Sequence, residues 1–110
     1  MVWSTDADPV TGAPGSAVTD VPQSVVTIHA SLQTRSLPAG TTVTADWTID
    51  GTPIPGVSQK VTVDQARGPG WIEFHLAWTA AGTWPRGALG IAIAIDGVPT
   101  SSGSVQIVAG

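Results

Sequence analysis

Between residues 88 and 95 the chain alternates small and large side chains: Ala88, Gly90, Ala92 and Ala94 interleave with Leu89, Ile91, Ile93 and Ile95. Successive side chains of a strand point to opposite faces, so this period of two predicts a strand with one broad apolar face and one nearly bare face. The same period recurs upstream. Val26, Ile28, Ala30 and Leu32 alternate with Thr27, His29 and Ser31; Val43, Ala45, Trp47 and Ile49 alternate with Thr42, Thr44, Asp46 and Thr48. Ile72, Phe74, Leu76 and Trp78 alternate with Trp71, Glu73, His75 and Ala77. Residues 57–64 predict a further strand with Val61 and Val63 inward, and residues 102–109 a last one that buries Val105 and Ile107.

Turn chemistry separates these runs. Asp50-Gly51 and Asp96-Gly97 supply positive-φ residues, and Pro53 and Pro55 forbid a central ladder position just after the first of them. The repeat of Ile49-Asp50-Gly51-Thr52-Pro53 as Ile95-Asp96-Gly97-Val98-Pro99 reads as one turn chemistry used after two strands. No segment has a helical face with caps at both ends. About seven short strands, each with one apolar face, predict an all-β fold: a two-sheet antiparallel β-sandwich of immunoglobulin-like topology, with a small barrel as the alternative. Residues 1–20, rich in Asp, Pro, Gly, Thr and Ser, are expected to be a linker or tail with a short first strand near residues 16–20. Residues 21–110 form the domain.

Composition narrows the partners. Only Arg35, Lys60, Arg67 and Arg86 are basic and the net charge is −4, so no patch suited to nucleic acid can be assembled. With no cysteine there is neither a disulfide framework nor a thiolate metal site. No uninterrupted apolar run is long enough to span a bilayer, and the first residues lack the charged start and apolar stretch of a signal peptide.

Where Trp84-Pro85-Arg86-Gly87 runs into the alternating strand that ends at Asp96-Gly97, the sequence resembles an immunoglobulin-like β-sandwich module of bacterial exported proteins and lipoproteins. The likeness extends to Pro38-Ala39-Gly40-Thr41-Thr42-Val43, Trp47, Glu73-Phe74-His75-Leu76 and the final apolar-polar-apolar strand, covering residues 21–110. It implies a sandwich at the cell envelope or outside the cell, with no shared enzymatic site. An envelope location would require an export signal ahead of Met1; a cytosolic or virion location would not. The chain departs from that pattern at Leu89, where an aromatic is usual, and at Gly90, Ala92 and Ala94, where polar residues are usual.

Three groups of residues are candidates for function. The bare strand, set between its neighbours in immunoglobulin order, would form a flat face with Thr44, Asp46, Gly90, Ala92, Ala94 and Gln106, charged only at Asp46, and charge depletion marks the centres of protein interfaces. Of the five tryptophans, Trp47 and Trp78 share the parity of the core and Trp84 plugs the corner. Trp71 and Trp3 are left as a carbohydrate platform. His29 and His75, with Glu73 two residues from His75, would supply a nitrogen and oxygen set for Zn²⁺ or Cu²⁺ if their strands are neighbours; otherwise they are ordinary exposed histidines. No DxDxDG loop and no Gly-x-Ser-x-Gly elbow is present, so no catalytic residue is assigned and no cofactor is expected. The chain is expected to be a non-enzymatic module for protein contact, attachment or spacing, with glycan binding as the alternative and histidine-based metal binding as a minor one.

Overall fold

In a computed structural model the described residues are 1–78 and 83–109. They form nine strands and no helix: β1 (Val2–Ser4), β2 (Asp20–Pro22), β3 (Thr27–Thr34), β4 (Thr42–Ile49), β5 (Thr52–Pro53), β6 (Gln59–Thr62), β7 (Gly70–Ala77), β8 (Gly87–Ile95) and β9 (Val98–Val108). One sheet has the order β1-β3-β7. The other runs β2-β9-β8-β4-β5, with β6 also paired to β4. All ladders are antiparallel except that β2 lies parallel to β9, so the second sheet is mixed where a purely antiparallel one was expected.

The alternation in the sequence becomes the core. Ile28, Ala30 and Leu32 of β3 and Ile72 and Phe74 of β7 are buried from one side; Val43, Ala45, Trp47, Leu89, Ile91 and Ile93 are buried from the other. Val26, expected in the first of these sets, is exposed because β3 begins only at Thr27. Each fully buried aliphatic side chain contributes about 1.5–3 kcal/mol relative to exposure, so the inward rows supply most of the driving force.

Both Asp-Gly turns are two-residue hairpin loops. Asp50 and Gly51 have φ of 49° and 81°, Asp96 and Gly97 of 51° and 81°, the positive values at both centres that match the twist of the flanking strands. In each case the aspartate also reaches across the β4–β8 ladder. The amide of Ala88 donates to Asp50 Oδ1 at 2.9 Å and the amide of Thr42 donates to Asp96 Oδ1 at 2.9 Å, while the Asp50 and Asp96 amides donate to the carbonyls of Ala88 and Thr42. A ladder that would fray at each end is closed there by a charge-assisted pair. Gly87 is required by this arrangement: its φ is +143°, and a Cβ there would lie 2.6 Å from an Asp50 carboxylate oxygen.

Residues 2–4 depart from the expected tail. They form an edge strand on β3, with Trp3 opposite Ala30, and the Trp3 side chain is only 6% exposed. Its ring meets that of Trp47 edge-on with centroids 6.0 Å apart. Room for it comes from Gly103, which faces Ile91 on β8; a Cβ there would lie 3.2 Å from Met1 Cγ and 3.4 Å from Trp3 Nε1. The residues that follow fold back as a small loop. Ala7 bridges Pro14, and the Asp8 carboxylate accepts the amides of Val10 and Thr11. The first strand expected at residues 16–20 is displaced to Asp20–Pro22.

At the corner, Trp84 is fully buried against Trp78, with centroids 5.2 Å apart, and its carbonyl accepts from the Gln23 side-chain amide at 2.6 Å.

Two measurements test this account. In urea unfolding, Asp50→Ala and Asp96→Ala should each cost about 0.5–1.5 kcal/mol, the net worth of a hydrogen bond whose freed amide can turn to water, whereas Asn at either site, which tolerates positive φ and keeps an acceptor, should recover most of the loss. Trp3→Ala should cost about 3–5 kcal/mol, the value for an aromatic removed from a core; a change near zero would return residues 1–4 to the status of a tail.

Candidate functional site

The register of β3 against β7 sets His29 directly opposite His75, with Ser31 opposite Glu73. Opposed residues of an antiparallel pair point to the same side, as do residues two apart on one strand, so His29, Glu73 and His75 converge on the outer face of the first sheet. The Glu73 Oε1 atom lies 2.7 Å from His29 Nδ1 and 3.0 Å from His75 Nδ1, and Oε2 lies 3.2 Å from the latter. The imidazole rings are tilted by 46° with centroids 5.5 Å apart. With a proton on each Nδ1, both rings donate to the one carboxylate. His29 and Glu73 side chains are 19% exposed and that of His75 is 60% exposed, so the cluster is walled on one flank and open on the other.

The wall is the N-terminal loop. Gly12, with φ +77°, places its backbone close enough that a Cβ would lie 3.3 Å from Glu73 Cβ, and its carbonyl accepts the Ser31 hydroxyl at 3.0 Å. This contact buries Ser31 on a face that the alternation in β3 marks as outward. Ser4, opposite His29 in β1, is likewise covered, its hydroxyl donating to the Asp6 carbonyl. Along the outer edge of β7, two carbonyls are capped by side chains: Arg67 donates to Trp71 and Gln59 to His75.

The outer face of the second sheet is assembled as a continuous surface. Ala94 lies opposite Thr44, Ala92 between Asp46 and Ser102, Gly90 between Thr48 and Ser104, and Ala88 beside Gln106. All six candidate residues, Thr44, Asp46, Gly90, Ala92, Ala94 and Gln106, are therefore on one side of three adjacent strands. A shallow depression of about 370 Å³ lies at its centre, lined by Thr48, Gly90, Ala92, Ser102 and Ser104. Gly90 forms its floor because a Cβ would come within 2.6 Å of Thr48 Oγ1. One expectation changes. Lys60 of β6 stands opposite Thr44, so the face carries a cation beside Asp46, whose Oδ1 accepts the Ser58 hydroxyl at 2.6 Å. No motif marks Lys60, and only the pairing of β6 with β4 brings it there.

The tryptophan pair is not brought together as a platform. Trp3 is in the core, and Trp71 is half-buried at the start of β7, opposite Gln33. Trp78, expected in the core, packs against it half-buried and shares with Ile49, Pro53, Ile54, Pro55 and Pro85 an open apolar cleft of about 430 Å³ beneath the corner. The sequence hides this cleft because its walls come from a turn, a strand end and the Trp-Pro corner.

No family model matches the chain, and no curated protein and no solved structure is significantly similar to it. No helix among the described residues is long and apolar enough to cross a membrane.

The loop over the cluster has its own acid sensitivity. Amide donation from Thr11 and Val10 holds the Asp8 carboxyl below the ordinary aspartate value. A carboxylate with a lowered folded-state pKa stabilises the fold above its unfolded pKa, and this stabilisation is lost as pH falls through the folded value. Asp8→Asn should therefore flatten a plot of loop amide protection against pH by lowering protection at neutral pH toward its acid value, with wild type and variant converging below the ordinary aspartate range.

Proposed function

We propose that the chain is a non-enzymatic β-sandwich module of immunoglobulin-like topology that acts by protein contact through the outer face of its second sheet. The strand orders support the topology: taken in chain order, β1, β3 and β7 stand as strands A, B and E of one sheet and β4, β8 and β9 as C, F and G of the other. The Trp84-Pro85-Arg86-Gly87 corner and the strand that follows support kinship with the exported bacterial modules, and with it a place at the cell envelope or outside the cell.

The observation that carries the contact is the face itself. Eight of its aligned positions are Thr, Ser, Ala or Gly (Thr44, Thr48, Ala88, Gly90, Ala92, Ala94, Ser102 and Ser104), which lets a second sheet approach to the spacing of about 10 Å at which sheets pack. The charges among the aligned positions are two acids and one cation: Asp20 of β2 beside Gln106, Asp46 of β4, and Lys60 of β6. A two-fold axis through the face can set Lys60 of each copy against an aspartate of the other, so the simplest occupant is a second copy of the chain.

Sedimentation velocity across a range of concentrations tests this. Wild type should associate as concentration rises, and Ala92→Lys, which places a long side chain at the centre of the face and holds a second sheet away, should abolish the association while leaving the melting temperature within a few degrees. A wild-type chain that stays monomeric at millimolar concentration, or an Ala92→Lys variant that associates equally well, would overturn the proposal.

A further inference from the structure

We propose that His29, Glu73 and His75 form a binding site for a divalent transition ion, Zn²⁺ or Cu²⁺, on the outer face of the first sheet. The three side chains each present a ligand atom, and these atoms lie within 4.8 Å of one another. In a tetrahedral zinc site with bonds near 2.0 Å, ligand atoms sit about 3.3 Å apart. The Glu73 Oε1 distances to the two Nδ1 atoms, 2.7 and 3.0 Å, need to open by a few tenths of an ångström, and the two histidine nitrogens, within 4.8 Å of each other, to close toward the same spacing, to receive an ion between the three side chains.

The ligand set selects the ion. Two imidazole nitrogens and one carboxylate oxygen suit borderline metals, whereas Mg²⁺ and Ca²⁺ prefer all-oxygen shells. Coordination through Nδ1 moves each ring proton to Nε2, and the negative carboxylate offsets part of the ion's charge. Because His75 is 60% exposed, the fourth position opens to water.

Placement on the sheet favours binding because the ligands are already ordered. His75 and Glu73 are two residues apart on one strand and His29 is fixed opposite by eight paired positions of β3 and β7. Glu73 is further held from behind by Gly12. An ion arriving here orders few side chains that are not ordered already, which is the condition under which a three-ligand surface site binds measurably.

Calorimetric titration of the full chain with Zn²⁺, and separately with Cu²⁺ and Mg²⁺, provides the test, combined with nuclear magnetic resonance of the histidine ring nitrogens. Zn²⁺ and Cu²⁺ should bind at one site per chain, Mg²⁺ should not, and the Nδ1 resonances of both histidines should move with the Zn²⁺ isotherm. His75→Ala, on an exposed position that the fold tolerates, should weaken Zn²⁺ binding by at least about tenfold to a hundredfold, the loss that follows even indirect disruption of metal sites. Glu73→Gln should weaken it too, with the rings still opposed. Equal affinity in wild type and His75→Ala, binding of Mg²⁺ as tight as that of Zn²⁺, or ring nitrogens unmoved by Zn²⁺ would each show that the cluster is a hydrogen-bonded surface feature and nothing more.

Discussion

Asp50 and Asp96 hold the β4–β8 ladder from its two ends. Each follows the last residue of one strand, each turns the chain back through a positive-φ hairpin, and each spends its carboxylate on the first amide region of the opposite strand. This ladder is the spine of the larger sheet: β9 adds to one side of it, β5 and β6 to the other. Were the ends free, the register of Trp47 against Ile91 and Ala45 against Ile93 would be fixed only by side-chain packing. A slip of one residue would turn that entire apolar row outward. With the ends pinned, the inward row is committed to the core and the outward row of small residues is equally committed to the surface.

Much of this was visible in the residues themselves. The inward positions of β3, β4, β7 and β8 follow from alternation alone, and the paired Asp-Gly signals mark both hairpins. The neighbourhood of His29, Glu73 and His75 was legible only on condition that their strands pair, because face parity says which side a residue takes but not which residue stands across from it. Trp3 could not be placed in this way. A three-residue strand has no period to detect, and the space that receives its indole is an absent side chain at Gly103, one hundred positions away in the sequence. Lys60 and the cover over Ser31 escaped for the same reason: both depend on where a short strand or a loop is laid down, and no local preference of the chain decides that.

The two outer faces differ in kind. That of the first sheet is polar, partly roofed by the N-terminal loop, and concentrates three side chains able to donate electron pairs at one point. That of the second is broad, shallow and nearly featureless, with its charges on β2, β4 and β6 and none on the β8 and β9 positions between. Since the faces belong to different sheets with the core between them, occupation of one leaves the other uncovered, and a substitution such as His75→Ala can be judged without disturbing the surface around Ala92.

The burial of Trp3 also has a consequence for the order in which the molecule is made. The indole is synthesised before the surfaces that enclose it: Trp47 follows it by 44 residues and the notch at Gly103 by one hundred. Until β9 emerges, an aromatic ring and the inner faces of both sheets remain open to solvent and to other nascent chains, and long-range closure of this sort is slow. The core is therefore sealed only when residues 1–4 and β9 are both present, the contact that closes it spanning one hundred residues.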